Sequence, residues 1–191
     1  MLKVGKKAPY FTCPAVVDGA IKTLNLDDLA GRHTVLFFYP LDFTFVCPTE
    51  LHAFEAARAE FDKRDTDIIG VSVDSVHSHL AWLKTPKAQG GIAGVHYPLI
   101  SDIQKTMARN FGVLVEEEGV ALRGLFILDK DNVVQQATIN NLGFGRNVAE
   151  VLRLIDALRH HEQHGEVCPA NWTEGAQALR PNAEGLKEYF G

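Results

Sequence analysis

The stretch that decides the fold is Tyr39-Pro40-Leu41-Asp42-Phe43-Thr44-Phe45-Val46-Cys47-Pro48-Thr49-Glu50, which joins a predicted strand to a predicted helix. The preceding apolar run, residues 34–39, predicts a buried strand, and Pro40 ends it. Residues 48–63 place apolar side chains near one helical face, with a proline at the first position, where proline is favoured. Cys47 therefore lies where the loop meets the start of the helix.

Cys47 is a candidate nucleophile because of this position. The partial positive charge at a helix N-terminus favours a thiolate, and the thiolate is the reactive form of cysteine. The alternative is a small buried hydrophobic residue without chemistry, since free cysteine is commonly buried. Position alone leaves both interpretations open.

The residues around Cys47 favour the reactive interpretation through a resemblance. The pattern Pro40-x-x-x-Thr44-x-x-Cys47 resembles the active-site signature of the peroxiredoxins. The longer string from Phe38 to Glu50 is similar to the typical 2-Cys subfamily over thirteen consecutive positions. A match of that length is far more specific than a short motif.

A second cysteine carries the same resemblance. Cys168 lies in His164-Gly165-Glu166-Val167-Cys168-Pro169-Ala170-Asn171-Trp172, which resembles the resolving-cysteine motif of the subfamily. Without the motif, an unpaired tail cysteine would be the better interpretation. The chain has no C-x-x-C pair and no four clustered thiols, which excludes a thioredoxin-type dithiol and a structural zinc site. Cys13 matches no family role, and we interpret it as structural.

The resemblance also implies roles for residues around the nucleophile. Arg123, in Leu122-Arg123-Gly124-Leu125-Phe126-Ile127, matches the segment that supplies the active-site arginine, whose guanidinium stabilises the thiolate and the leaving oxygen. Thr44 is expected to hydrogen-bond the peroxide, and Pro40 to exclude water and shape the pocket. Read without the family, Arg123 would be a surface charge at a strand edge.

Two further charged residues are expected to support the site. Glu50, one helical turn after Cys47, is expected to hold the arginine in place; alternatively it is a first-turn acid placed for the helix dipole, and both roles are compatible. Arg146 matches a family arginine near the site, and the alternative is a surface charge at a helix start.

The pattern of elements predicts an α/β fold of the thioredoxin-like class. Strand 68–73, helix 75–84, strand 124–129 with a hairpin partner to 139, and helix 147–160 follow the Cys47 helix. This order predicts a central mixed sheet flanked by helices, with a C-terminal arm. We assign residues 1–161 to a thioredoxin-like peroxidase domain and residues 162–191 to the arm that carries Cys168.

The net charge and the lengths of the apolar runs narrow the classes of molecule that this chain is expected to bind. The net charge of −5 over 191 residues gives no basis for nucleic-acid or anionic-membrane binding, and no apolar run approaches the roughly 20 residues of a membrane span. Few cysteines, one of them a candidate nucleophile, predict a reducing, cytoplasmic location.

The run His160-His161-Glu162-Gln163-His164 lacks the H-E-x-x-H spacing, and we interpret it as a solvated helix end.

The resemblance implies a thiol peroxidase cycle without metal, haem or flavin cofactor. Cys47 would reduce hydrogen peroxide or an organic hydroperoxide, becoming a sulfenic acid. After local unwinding of the helix, Cys168 of a second subunit would form an intersubunit disulfide with Cys47. Thioredoxin or a dedicated flavoprotein disulfide reductase would recycle it, in a homodimer that assembles into a ring of five dimers. Two alternatives stay open: an oligomeric holdase chaperone, and a peroxide sensor or redox relay.

Overall fold

The computed structural model describes residues 2–191, and the chain separates into two compact units, one ending at Arg146 and one beginning at Asn147. Within the described residues, the strands are β1 (Thr12–Val17), β2 (Ala20–Asn25), β3 (His33–Phe38), β4 (Thr66–Ser72), β5 (Leu99–Ser101), β6 (Leu114–Val115), β7 (Val120–Ala121), β8 (Arg123–Leu128) and β9 (Val134–Asn140). All of them belong to the first unit.

Seven of these strands form one mixed sheet in the order β2-β1-β5-β4-β3-β8-β9. β4 pairs in parallel with β3 and β5, and the remaining pairs are antiparallel. Every residue of β3 and β8 is buried, as expected for strands covered on both faces, and this is why the run before Pro40 is continuously apolar. The predicted central mixed sheet is therefore present. β6 and β7 form a separate hairpin.

The helices are α1 (Cys47–Ala56), α2 (Arg58–Lys63), α3 (Val76–Lys84), α4 (Thr106–Asn110), α5 (Val148–His164) and α6 (Ala183–Phe190) in the described part of the chain. The single helix predicted over 48–63 is wrong in detail, because Ala57 interrupts it between α1 and α2. The observed helix α1 also begins one residue before the predicted start at residue 48, so Cys47 is the first helical residue. In the first unit, α2 packs on β4, and α3 packs on β1 and β5.

The position of α1 is fixed by aromatic packing on the sheet. Phe54 of α1 stacks on Phe37 of β3 with ring centroids 4.5 Å apart, and Phe61 of α2 lies 6.0 Å from Phe54. All three side chains are fully buried. Burial of one such ring stabilises the fold by about 1.5–3 kcal/mol, so this cluster holds the second half of α1 against β3.

The second unit consists of α5, α6 and the segment between them. Asn147 caps α5 by accepting from the Glu150 amide, and Gly165 ends it at a φ of 66°, a conformation that favours glycine. α5 continues through His164, three residues beyond the predicted arm boundary, which itself stays a prediction. Among residues 2–191, no helix has the length and apolar character needed to cross a membrane.

Candidate active site

Cys47 is fully buried at the first position of α1, and a guanidinium lies beside its sulfur. Nη1 of Arg123 is 3.4 Å from Sγ of Cys47, while Nε of Arg123 donates to the carbonyl oxygen of Leu142 at 2.9 Å. The second contact fixes the plane of the guanidinium. A buried cation directed at the sulfur stabilises the thiolate form, in addition to the field of the helix N-terminus.

Glu50 joins two arginines into one buried ion cluster. Oε2 of Glu50 accepts from Nη1 of Arg123 at 2.7 Å and from Nη2 of Arg146 at 2.8 Å. Oε1 accepts from Nε and from the backbone amide of Arg146 at 2.7 and 2.9 Å. All three side chains are at most 4% exposed. The cluster carries two positive charges and one negative charge. A thiolate on Cys47 supplies the second negative charge, which brings the net charge of the four groups to zero.

Arg146 also ties the cluster to the sheet. Its Nη1 donates to the carbonyl oxygens of Phe38 and Gly124, both at 2.7 Å, at the end of β3 and near the start of β8. Its guanidinium carbon lies 5.1 Å from the centroid of the Phe37 ring, within cation–π range. Arg146 is therefore a buried structural link rather than the surface charge that the sequence left as an alternative.

Pro40 and Thr44 lie on the loop between β3 and α1. Pro40 is buried, and the half-buried Thr44 donates its hydroxyl proton to the carbonyl oxygen of Leu41 at 2.9 Å. With its proton engaged, the Thr44 oxygen is left as an acceptor. Phe43, next to Thr44, has a φ of 54°, an unusual value for a residue other than glycine. The loop is thus held in a specific, mildly strained shape.

Cys168 belongs to the second unit, in different surroundings. Its half-buried thiol lies 3.5 Å from the carbonyl oxygen of Ala157 on α5. Burial raises the pKa of this thiol, the negative charge of Glu166 raises it further, and Arg153 partly opposes the change. Nη1 of Arg153 also donates to the carbonyl oxygen of Trp172 at 2.7 Å, which holds the segment against α5.

Two contributors to the site escaped the sequence analysis. The Leu142 carbonyl orients Arg123, and a Cβ added to Gly145 would lie 3.2 Å from Cγ of Glu50. The turn Gly143-Phe144-Gly145 directly before Arg146 is the sequence signal for this close approach. Taken locally, this turn predicts only the approach to a helix.

The remaining candidates carry no comparable arrangement. Burial, with a smaller effect of Asp102, raises the pKa of Cys13 to about 11, which fits the structural interpretation of this thiol. Residues 2–191 contain no group of three His, Cys, Asp or Glu side chains placed to hold a metal ion, and this includes the histidines at the end of α5.

Comparisons with known proteins identify the family. Residues 4–137 match the AhpC/TSA family, and residues 157–191 match the C-terminal domain of 1-Cys peroxiredoxin. Peroxiredoxin-2 of Bos taurus is 52% identical over 98% of this chain and 94% of its own length. The chloroplastic 2-Cys peroxiredoxin BAS1 of Hordeum vulgare is also 52% identical, over 98% of this chain and 90% of its own. The chain belongs to the 2-Cys peroxiredoxins.

Solved structures agree with this assignment. The reduced 2-Cys peroxiredoxin of Plasmodium vivax matches this peroxiredoxin with a TM-score of 0.96 at 43% identity, over 100% of this chain and 99% of that one. The thioredoxin-like α/β fold is thereby confirmed. Peroxiredoxins are thiol-dependent peroxidases, so the predicted enzyme class is confirmed as well.

Proposed function

We propose that Cys47 is the peroxide-reducing nucleophile and that Arg123 activates it. The observation that carries this proposal is the 3.4 Å contact between Nη1 of Arg123 and Sγ of Cys47, at the buried start of α1. The guanidinium favours the thiolate before reaction. It also stabilises negative charge on the leaving oxygen as the O–O bond breaks, which is the larger contribution to the rate.

The reaction balances with one added proton. The Cys47 thiolate attacks one peroxide oxygen, the O–O bond breaks, and the second oxygen leaves with a proton as water or an alcohol. The sulfur is oxidised to a sulfenic acid, and the peroxide is reduced. Hydrogen peroxide and organic hydroperoxides both supply the bond that this step needs.

The neighbouring residues take positioning roles in this proposal. Glu50 and Arg146 hold Arg123 through the buried ion cluster, so that its guanidinium needs little reorganisation during the reaction. Thr44, whose own proton is engaged with Leu41, accepts a hydrogen bond from the peroxide. Pro40 covers the pocket and keeps water from the thiolate.

Cys168 of a second subunit then resolves the sulfenic acid. Its thiol condenses with the oxidised Cys47, water leaves, and an intersubunit disulfide forms. Thioredoxin or a dedicated flavoprotein disulfide reductase returns both thiols by exchange. The unit is a homodimer that assembles into a ring of five dimers in the cytoplasm. The Cys168 motif and the 2-Cys relatives support this half of the cycle.

One experiment tests the proposed disulfide directly. The reduced protein is treated with one equivalent of hydrogen peroxide and run on a non-reducing gel, with Cys47→Ser and Cys168→Ser variants beside it. We expect a disulfide-linked dimer from the wild type alone. A monomeric oxidised band containing an intramolecular Cys47–Cys168 bond would contradict the intersubunit step. Suppression of aggregation by the Cys47→Ser variant, measured in parallel, tests the holdase alternative.

A further inference from the structure

A second buried polar cluster lies beside the loop that leads to Cys47, and the proposed reaction does not use it. Asp42, in this loop, has a side chain only 1% exposed. Its Oδ1 accepts from the Tyr39 hydroxyl at 2.9 Å, and its Oδ2 accepts from the Ser78 hydroxyl at 2.7 Å. Oδ2 also lies 2.8 Å from Nδ1 of His79, which is fully buried on α3.

The contacts of His79 fix the number of protons in this cluster. Nε2 of His79 lies 3.2 Å from the carbonyl oxygen of Ile100, which can only accept, so Nε2 carries a hydrogen. Nδ1 faces a carboxylate oxygen of Asp42, and a hydrogen must lie between these two atoms as well. The pair therefore holds one more proton than a neutral imidazole beside an ionised carboxylate.

The other titratable groups beside this pair are one acid, Asp74, and one phenol, Tyr39. Oδ2 of Asp74, just after β4, accepts from the Asp42 amide at 2.8 Å and from the Ser72 hydroxyl at 2.7 Å. Burial and then the charge of Asp42 raise the pKa of Asp74, and the same two causes raise that of Tyr39. The extra proton on the pair offsets negative charge contributed from the loop and from the end of β4.

We infer that the proton-holding pair of Asp42 and His79 positions the loop that presents Cys47, a role that rests on the proposed function of Cys47. The pair fastens the loop to α3 just before Phe43, whose left-handed backbone needs support from its surroundings. Loss of the proton would bring lone pairs of nitrogen and oxygen face to face at 2.8 Å in a buried site. The loop, and with it Thr44 and Cys47, would have to move.

The Asp42→Asn variant separates the proton from the shape of the cluster. An asparagine amide can donate to a neutral Nδ1 of His79, so it keeps a hydrogen between the two atoms without the carboxylate. Stopped-flow measurement of the peroxide reaction of Cys47 at neutral pH then gives the test, with Asp42→Leu beside Asp42→Asn. We expect the rate constant to fall about tenfold in Asp42→Leu, which offers His79 no polar partner, and to stay within about threefold of the wild type in Asp42→Asn.

Rescue by the conservative variant is the informative result, because only the asparagine keeps a hydrogen-bond partner for His79. A rate constant that is unchanged in Asp42→Leu, or that falls equally in Asp42→Asn, overturns the inference. His79→Leu, checked for folding by circular dichroism, is expected to react about tenfold more slowly at neutral pH. His96→Leu, which changes an exposed histidine, is the matched control and should match the wild type.

A measurement without peroxide keeps this inference separate from the proposed function. At neutral pH, the unfolding temperature of Asp42→Leu should fall below that of Asp42→Asn, because leucine leaves Nδ1 of His79 and the Tyr39 hydroxyl without their partner. Equal unfolding temperatures for the two variants overturn the role of the pair. A wild type in which Cys47 does not react with peroxide, beside variants that show the expected difference in unfolding temperature, overturns the proposed function alone.

Discussion

The two cysteines assigned to the cycle lie in opposite surroundings. Cys47 is fully buried at a helix start, beside a guanidinium that a buried ion cluster holds in place. Cys168 is half-buried, its thiol lies 3.5 Å from a carbonyl oxygen, and burial together with Glu166 raises its pKa. The first environment stabilises a charged sulfur and the second a neutral one. A fixed pocket suits reaction with a small peroxide, and a neutral resting thiol suits a group that acts second.

The contacts around the two sulfurs also differ in strength. Breaking a buried, hydrogen-bonded ion pair by removing one partner typically costs about 3–5 kcal/mol, because the other charge is left unpaired. A half-exposed contact such as His160 with Glu166 contributes about 0–1 kcal/mol. Substitutions around Cys47 should therefore have far larger effects than substitutions around Cys168.

The largest effect is expected from the cysteines themselves. Cys47→Ser should abolish peroxide consumption, whereas Cys168→Ser should consume about one equivalent per chain and then stop, because the sulfenic acid still forms. Peroxide consumption at limiting and excess substrate measures both. Cys13→Ser is the control and should turn over like the wild type. Sustained turnover by Cys47→Ser would contradict the assignment of the nucleophile.

The next largest effect is expected at the centre of the ion cluster. Glu50→Gln leaves Arg123 and Arg146 buried without their common carboxylate, so we expect the rate constant for peroxide to fall about 10²–10³-fold. The unfolding temperature should fall too. Glu150→Gln, which removes an exposed carboxylate of α5, is the matched control and should leave both quantities unchanged. Unchanged kinetics in Glu50→Gln would break the contrast between the two cysteine environments.

A smaller effect is expected from one methyl group next to the cluster. In Gly145→Ala the new Cβ would press against Glu50 at 3.2 Å, which we expect to destabilise the fold by about 1 kcal/mol and to slow the peroxide reaction about tenfold. Gly143→Ala is a close control, because a Cβ there meets no atom within 4 Å. Equal rates in the two variants would show that the position of Glu50 tolerates displacement.

The smallest effect is expected near Cys168. Glu166→Gln removes a negative charge that raises the pKa of the Cys168 thiol, so more thiolate should be present near pH 8. We expect disulfide formation after a peroxide pulse to be about twofold faster, a small change because the site is partly exposed. Glu174→Gln, on the exposed part of the same segment, should have no effect. Slower disulfide formation in Glu166→Gln would reverse the proposed role of this charge.

What the sequence could predict depended on how local each signal is. The loop-to-helix motif placed Cys47 at a helix start within one residue, and the Arg123 motif placed this arginine beside the sulfur. β1 was missed because Pro14 interrupts its pattern, although this proline pairs only with the neighbouring β2. α6 was missed because it is short and mostly exposed.

Interactions between distant segments were beyond reach of the sequence. The contact between Asp42 and His79 spans 37 positions, and that between Glu50 and Arg146 spans 96. Each of these residues has an ordinary local explanation, as a turn acid, a helix residue or a helix-start charge. Only tertiary packing selects the buried pairing, because desolvation makes an unpaired charge too costly there.

The charge count of the Arg123–Glu50–Arg146 cluster makes α1 sensitive to the oxidation state of its first residue. While the sulfur is a thiolate, the buried charges cancel, and both anions belong to α1, at its first and fourth residues. Conversion of the sulfur to a neutral sulfenic acid leaves one positive charge without a counter-ion. The oxidised helix start is therefore held less tightly than the reduced one. In the proposed cycle, reaction with peroxide thus weakens the turn that opens before Cys168 of a second subunit reaches the sulfur.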